Sequence, residues 1–471
     1  MKSIRINMVL NVLRTALTVI FPFIIFQIAS RRLLAGNLGK VDFSLSVVNY
    51  FQLFAGLGVS VYAIRESGKF RATKEKLEQF ASEVFTINII STIVSYFFLL
   101  LTIFFVPKLQ EYWILIAVQS LIIVSTTLGL EWVNIIYEDY KYITFRTLIF
   151  QLTTLILVFF FIREPSDYLL YAIFSMFGKV LPEIMNFYHV RKRHIEVRLV
   201  IDSKIWRHLV PILIIFVNSL VISIYVNLDT TMIGFFKTDI DVGYYSVAVK
   251  IYSAIKAIFS AIISVTVARI SLYYSNGGKD KVERLLSLMI NYFTLIIIPA
   301  ILLFVSVADS TIYIFFGEAY SSSVKPLQLL CLGVIFSVYA STITNSIFLP
   351  LGLERFSLVA TTLGALVNLL LNIFLIPIWG IIGAAMTTFF AEFIVFIVAY
   401  IYLQKKHIVF FKFLNWKNLV LLVLCVIWNC SLYMSVHQMT SKTIQGLVLQ
   451  LVVGIFPLLC SLVISMTKKW N

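Results

Sequence analysis

Ionisable side chains inside long apolar runs are the residues of this sequence most able to do chemistry. A charge at the centre of a bilayer costs roughly 2.5–3.5 kcal/mol on insertion scales, so such a residue needs a partner or a function. Lys250 and Lys256 share one apolar run, and their spacing places them about 240° apart around a helix. The full set within apolar runs is Arg14, Glu131, Lys179, Glu183, Lys250, Lys256 and Glu392, with Asp229 at the end of another run.

Three of these residues, Arg14, Lys250 and Lys256, have no acidic residue three or four positions away in their own run. One interpretation is an internal cationic surface that binds an anionic substrate, since Arg suits bidentate phosphate contacts and Lys acts as a point charge. The alternative is that one lysine pairs with an acid on another helix while the other reaches the membrane surface. We therefore predict Arg14, Lys250 and Lys256 as substrate-binding residues and keep the alternative open.

The remaining charges within the runs have structural interpretations or ion-coupling interpretations. Lys179 and Glu183 are four residues apart and share one helix face, which predicts a buried ion pair. Glu131 and Glu392 lie close enough to the ends of their runs to be interfacial. Asp229 and Glu392 are candidates for coupling a cation to a transport cycle.

The elements that position these charges are apolar runs near 20 residues, the length that crosses a bilayer as a helix. The chain has 471 residues, 60% hydrophobic and 13% charged, with a mean hydropathy of +0.95. We predict an all-α polytopic membrane protein with about fourteen transmembrane helices. They are predicted at 9–29, 41–62, 82–106, 112–134, 143–162, 167–187, 209–228, 243–266, 286–308, 327–349, 357–376, 380–402, 418–436 and 444–466, the first being too long for a cleaved signal peptide.

The distribution of Lys and Arg predicts the orientation of these helices. With the N-terminus inside, the inner segments carry 26 basic residues and the outer loops carry 8. This asymmetry predicts that both termini are cytoplasmic. The same rule accounts for the net charge of +15, so nucleic acid is not an expected partner.

An internal repeat predicts the domain organisation. Two sets of six helices begin about 200 residues apart, and each has a glycine, Gly39 or Gly243, just before its second helix. We predict an N-terminal six-helix bundle (1–187), a basic cytoplasmic linker (188–208), a C-terminal six-helix bundle (209–403) and an additional two-helix segment (404–471).

The motifs of several protein classes are absent from the sequence. There is no phosphate-binding G-x-x-x-x-G-K-[ST], no H-E-x-x-H and no G-x-S-x-G, so neither an ATPase nor a hydrolase is indicated. The cysteines (Cys331, Cys425, Cys430 and Cys460) lie in apolar runs without His or Cys neighbours at ligand spacing. We predict a protein that is not an enzyme and uses no cofactor or metal.

Five segments, in order along nearly the whole chain, resemble the Wzx-type polysaccharide flippases. That family belongs to the multidrug/oligosaccharidyl-lipid/polysaccharide (MOP) exporter superfamily. The segments are LGKVDFSLSVVNYFQLFAGLGVSVYAIRESGKFR, GLEWVNIIYEDYKYITFRTLIFQ (129–151), NLDTTMIGFFKTDIDVGYYSVAVKIY, FFGEAY (315–320) and IPIWGIIGAAMTT (376–388). The resemblance implies two six-helix bundles that alternate in access around a central cavity.

The resemblance also implies a substrate, undecaprenyl pyrophosphate carrying an oligosaccharide repeat unit, which is moved to the outer face for cell-surface polysaccharide synthesis. Related lipid II flippases place basic residues in that cavity, at stations that Arg14 and Lys250 match here. Expected partners are the lipid-linked oligosaccharide, the bilayer, a polysaccharide polymerase and other assembly proteins, with the chain acting as a monomer.

Two other functions remain as alternatives. A cation-coupled multidrug exporter of the same superfamily would use acidic cavity residues, whereas Arg14, Lys250 and Lys256, which have no nearby acid in their own runs, are basic. A membrane-bound glycosyltransferase or polymerase would carry a large outer catalytic loop, and the outer loops of this chain are short.

Overall fold

The described residues form helices, many of which are long enough to cross a bilayer. The computed structural model describes residues 4–70, 73–275, 279–405, 420–429, 431, 443 and 445–455, and no strand occurs within these ranges. Nine of the helices found there are long and apolar enough to cross a membrane, and three shorter apolar helices accompany them. The prediction of an all-α, multi-pass membrane protein is therefore confirmed.

The chain divides into two compact units, residues 1–243 and residues 244–471. The helices of the first unit are α1 (Ile4–Gly56), α2 (Val59–Ser67), α3 (Lys74–Phe105), α4 (Pro107–Gln110), α5 (Trp113–Leu128), α6 (Glu131–Ile136), α7 (Tyr140–Phe161), α8 (Tyr168–Arg193) and α9 (Leu209–Phe236). Within this unit α1 is central, because it packs on α3, α5, α7 and α9.

The boundary between the units falls inside α10 (Asp239–Ser275). The second unit continues with α11 (Lys279–Ser306), α12 (Ala308–Phe316), α13 (Val324–Ser341), a π-helix (Thr342–Phe348), α14 (Glu354–Lys405), α15 (Val420–Asn429) and α16 (Gln445–Ile455). Here α13 packs against α11 and α14. The first unit also contains α9, and the predicted division into bundles at 187 and 209 remains a prediction.

The predicted transmembrane windows coincide with described helices. Windows 9–29 and 41–62 are joined in α1 and α2, and windows 357–376 and 380–402 are joined in α14. Windows 418–436 and 444–466 extend beyond the described residues, so the total of fourteen remains a prediction.

Both joined helices turn at a residue with positive φ. In α14 the turn is at Gly380 (φ 57°, ψ −131°), a conformation that is accessible because glycine has no Cβ. In α1 it is at Leu34 (φ 63°, ψ 168°), a region that costs a non-glycine residue about 1–3 kcal/mol. Nearby, the Arg32 guanidinium donates to the carbonyls of Phe159 and Ile162 at 2.5 Å each, where it satisfies the C-terminal end of α7.

The two glycines that mark the sequence repeat lie against each other. A Cβ on Gly39 would be 1.7 Å from the Asp239 carbonyl oxygen and 2.9 Å from the Gly243 amide nitrogen. A Cβ on Gly243 would be 2.0 Å from the Ala35 carbonyl oxygen. Only glycine permits this approach of α1 to the start of α10, so the repeat signal reports a backbone contact.

The segment predicted as a basic linker is docked on α3 within the first unit. The amide N–H groups of Glu196, Arg198 and Val200 donate to side-chain oxygens spaced four residues apart on α3: Glu78 (2.9 Å), Ser82 (3.1 Å) and Thr86 (3.0 Å). The buried carboxylate of Glu83 also contacts Arg207 and His208 at 2.7 Å each. The segment is therefore part of the packed unit.

Candidate functional site

Four charged side chains from four helices form an ion-paired cluster in the first unit. Glu131, the first residue of α6, accepts from Arg14 of α1 through one carboxylate oxygen and from Arg146 of α7 through the other, at 2.8 Å. The same Arg146 Nη2 lies 3.5 Å from a carboxylate oxygen of Glu183 on α8. The four side chains are thus joined in the order Arg14, Glu131, Arg146, Glu183, which we call the charge cluster.

The centre of the charge cluster is Arg146, whose side chain is 1% exposed, against 25% for Arg14, 23% for Glu131 and 24% for Glu183. Its guanidinium carbon also lies 5.6 Å from the centre of the Tyr142 ring, within range of a cation–π contact. Among the described residues nothing accepts from its Nε and Nη1, which are both buried. A guanidinium has five donors, so Arg146 keeps capacity for an anion or a polar ligand.

The charge cluster lines a cavity of about 480 Å³ within the first unit. Most of the other lining side chains are small or polar, and none is aromatic: Thr18, Gln52, Gly56, Gly58, Ser60, Asn88, Ile122, Ser125, Thr126, Gly129, Thr147, Gln151, Gly178, Lys179 and Pro182. The volume lies in the range of small-molecule sites, roughly 300–1,000 Å³. An amide- and hydroxyl-lined cavity of this size between apolar helices suits a polar ligand.

Local sequence explains how the acidic partners reach the cavity. Gly129 ends α5, and a Cβ there would lie 2.6 Å from a carboxylate oxygen of Glu183. Glycine thus lets the α8 carboxylate approach the α5–α6 turn closely. Asp139 precedes the first residue of α7, which places Arg146 about two turns into that helix.

Arg14 has no acidic residue three or four positions away in its own helix, and its partner is Glu131 of α6. Its partner Glu131 is 117 residues distant in sequence, and no spacing rule for a single helix could find it. Glu131 is likewise an ion-pair partner at the cavity rather than only an interfacial residue.

Arg146 is the residue that the sequence analysis missed. It was counted among the inner-loop charges, because the predicted window began only three residues before it. An earlier start of α7, signalled by a helix-capping residue type at Asp139, would have placed Arg146 about two turns into the helix rather than at the edge of the window.

Lys179 and Glu183 both lie at the cavity wall on α8. Glu183 is paired with Arg146, and the Lys179 residue is exposed. The ion pair predicted between Lys179 and Glu183 remains a prediction.

In the second unit, Lys256 on α10 pairs with Glu392 on α14 at 2.6 Å. The Tyr252 hydroxyl donates to the same carboxylate oxygen at 2.7 Å and accepts from Lys256 at 3.1 Å. Glu392 is 5% exposed, so it is a buried ion-pair partner of Lys256. This matches the alternative in which one lysine pairs with an acid on another helix, while Lys250 is exposed on α10.

Asp229 is buried on α9 in the first unit, near residues that join α9 to α1. Asn49 donates to Asn227 at 3.1 Å and Thr231 donates to Ser46 at 2.9 Å in this interface. Its suggested role in cation coupling remains a prediction, as does that of Glu392.

Long apolar helices around an ion-paired polar cavity define a multi-pass membrane protein of transporter architecture. The chain belongs to the polysaccharide biosynthesis protein family, since a sequence model of that family matches residues 4–273. The resemblance to the polysaccharide flippases is thereby confirmed at the level of family.

Three similar proteins extend this assignment. An uncharacterised membrane protein of Methanocaldococcus jannaschii, MJ1068, is 24% identical over 85% of this chain and 84% of its own length. A protein of Shigella dysenteriae named as an O-antigen transporter is 22% identical over 79% of this chain and 93% of its own length. The solved structure of the lipid II flippase MurJ, in an inward closed conformation, superposes with a TM-score of 0.75 and 16% identity over 99% of this chain and 100% of its own, which establishes a shared fold.

Proposed function

We propose that this protein is a flippase that moves undecaprenyl-pyrophosphate-linked oligosaccharide repeat units across the cytoplasmic membrane for cell-surface polysaccharide synthesis. It works by alternating access, and both of its termini lie in the cytoplasm. The family, the O-antigen transporter among the relatives and the MurJ-like fold support this assignment. The excess of basic residues in alternate loops supports the orientation.

The observation that carries the proposal is the charge cluster at the polar cavity. Arginines suit a diphosphate because the planar guanidinium donates two parallel hydrogen bonds. Arg14 and Arg146 each hold Glu131, and an incoming diphosphate competes for the same donors. A buried arginine left without an anionic partner would cost several kcal/mol. When a phosphate replaces the carboxylate, the arginine keeps an anionic partner throughout.

The cavity lining supports a carbohydrate as the other part of the ligand. Gln52, Asn88 and Gln151 offer both donors and acceptors, as sugar hydroxyls require. The polyprenyl tail stays in the lipid because both are apolar, so the protein does not need to bind the tail. Lys250 and Lys256 on α10 are proposed as further phosphate-binding residues, with Lys256 released from Glu392 in another state of the cycle.

The test is transfer of the lipid-linked repeat unit to the outer leaflet in cells that lack the chromosomal protein. Outer-leaflet material is measured with a membrane-impermeant lectin, and the inner-leaflet precursor is measured after lysis. We expect Arg14→Gln and Lys250→Gln to abolish transfer at unchanged protein level. The matched control is Lys69→Gln, which removes an exposed lysine paired with Glu66 and should transport normally.

Three outcomes separate the parts of this proposal. Normal transfer by both variants refutes the cationic site while the flippase assignment stands. Normal transfer in the absence of the protein refutes the flippase assignment. If loss of the protein instead changes sensitivity to cationic drugs, the multidrug exporter is supported, with Glu131 and Glu183 as its acidic cavity residues.

A further inference from the structure

A second group of ionisable residues lies outside the cavity, where α6, α7 and α8 end or begin. Asp139 lies between α6 and α7, His189 is in the last turns of α8, and His194 follows the last residue of α8. One ligand atom from each of the three lies within 4.8 Å of the other two. We call these residues the His–Asp triad.

The distances in the His–Asp triad fit a metal ion. The Asp139 Oδ2 atom is 3.3 Å from His189 Nε2 and 3.8 Å from His194 Nε2. Zinc binds imidazole nitrogen and carboxylate oxygen at about 2.0–2.2 Å in tetrahedral geometry, which places neighbouring ligand atoms about 3.4 Å apart. The two distances from Asp139 lie close to this spacing, and the ligand atoms of the two histidines lie within 4.8 Å of each other, so a small inward movement would bring the three ligand atoms to the corners of a zinc tetrahedron.

The side chains are held in place for this geometry. The His189 ring stacks on Tyr142 with ring centres 3.5 Å apart, and the His194 ring stacks on Tyr137 at 4.4 Å. The three triad side chains are only 13–14% exposed. Packing that fixes imidazole orientation is a feature of metal sites, because ligands must be directed before the metal arrives.

The backbone around Asp139 is unusual for the start of a helix. Asp139 occupies the N-cap position of α7, where an aspartate ordinarily accepts from the helix N–H groups, but its side chain makes no capping hydrogen bond. The preceding residue, Glu138, has a left-handed conformation (φ 54°) that a non-glycine residue rarely adopts. The Asp139 carboxylate thus lies against the His189 and His194 imidazoles and does not cap α7.

We propose that Asp139, His189 and His194 bind one transition-metal ion, of the class of Zn²⁺ or Co²⁺, with water as a fourth ligand. Imidazole with a single carboxylate favours these ions over Mg²⁺ and Ca²⁺, which prefer all-oxygen sites. The ion fastens the α6–α7 turn to the end of α8. This turn lies between Glu131 and Arg146, so the site braces two members of the charge cluster.

No metal site was predicted from the sequence, because the ligands of this site are not close together along the chain. His189 and His194 are five residues apart, a spacing seen within zinc sites, but Asp139 is 50 residues upstream of His189. Only the packing of α7 against α8 brings the carboxylate to the histidines.

The test is Co²⁺ titration of the purified full-length protein in detergent, using an affinity tag without histidine and prior treatment with a chelator. The pH is kept about one unit above the ordinary histidine pKa of ~6.5, so that the imidazoles are neutral. We expect visible absorption typical of tetrahedral Co²⁺ to saturate at one ion per chain and to be abolished by one equivalent of Zn²⁺. The wild-type protein should also unfold at a higher temperature with Zn²⁺ than without it.

The variants are Asp139→Asn, His189→Ala and His194→Ala, with His437→Ala as a control that removes a histidine outside the triad. Loss of a residue that only hydrogen-bonds a metal ligand weakens metal binding roughly 10–100-fold. Loss of a ligand itself should weaken Zn²⁺ binding by more than this in each triad variant. Metal-free unfolding temperatures establish that the variants are folded, and Asp139→Asn preserves the side-chain shape if an alanine variant fails. The proposal is refuted if the wild-type protein shows no tetrahedral Co²⁺ spectrum, or if the triad variants bind as the control does.

Discussion

Replacement of Arg146 by methionine tests the charge cluster most sharply. The change leaves Glu183 without its described ion pair and removes one of the two arginines on Glu131. Loss of one partner of a buried pair costs about 3–5 kcal/mol. Glu131 keeps Arg14, and both carboxylates remain about one-quarter exposed, so we expect a loss of about 2–3 kcal/mol.

Thermal unfolding of the purified protein in detergent measures this loss. At about 2–4 °C per kcal/mol for a unit of this size, the midpoint should fall by about 4–12 °C. Adding Glu183→Gln to Arg146→Met removes an orphaned charge, so the double variant should unfold at a higher temperature than Arg146→Met alone. The matched control Lys69→Gln breaks an exposed pair and should cost less than about 1 kcal/mol.

Two results would refute this reasoning. A midpoint shift for Arg146→Met no larger than that for Lys69→Gln would mean that the charge cluster contributes nothing to stability. Additive effects of Arg146→Met and Glu183→Gln would mean that the two side chains do not interact.

Two further predictions concern packing outside the cavity. Lys256→Met leaves the Glu392 carboxylate buried without its lysine, so the unfolding midpoint should fall. Adding Glu392→Gln to Lys256→Met should recover part of the loss. Equal midpoints for the single and the double variant would contradict the pairing. Gly243→Ala places a Cβ 2.0 Å from the Ala35 carbonyl oxygen and should lower the free energy of unfolding by about 1–3 kcal/mol. The control is Gly68→Ala, where the Cβ has no neighbour within 4 Å and the midpoint should change little. Similar midpoints for the two variants would contradict the described approach of α1 to α10.

The helices were predictable because hydrophobic length alone sets them. Crossing a bilayer requires about 20 apolar residues, and this constraint acts on each helix independently of its neighbours. The joined helices were less predictable, because each turn is made by the backbone dihedral angles of a single residue, Leu34 or Gly380. The signal at Gly39 and Gly243 was present in the sequence, but only the structure shows that the two glycines touch.

The charge cluster was only partly predictable. The sequence singled out Arg14, Glu131 and Glu183 because charges in apolar runs are conspicuous. It could not pair them, since Glu131 and Arg146 are 15 residues apart and the other partners are more distant. Ion pairs between helices depend on helix rotation and packing, which no single-helix periodicity encodes.

Translocation in reconstituted vesicles tests the central claim most directly. A fluorescent undecaprenyl-pyrophosphate oligosaccharide is placed in both leaflets, and a membrane-impermeant quencher reports the fraction exposed outside over time. Vesicles containing the purified protein should lose the protected fraction, while protein-free vesicles and vesicles containing Arg14→Gln should retain it. A protected fraction that persists with the intact protein, under a proton gradient, a sodium gradient and a membrane potential in turn, would contradict the flippase assignment.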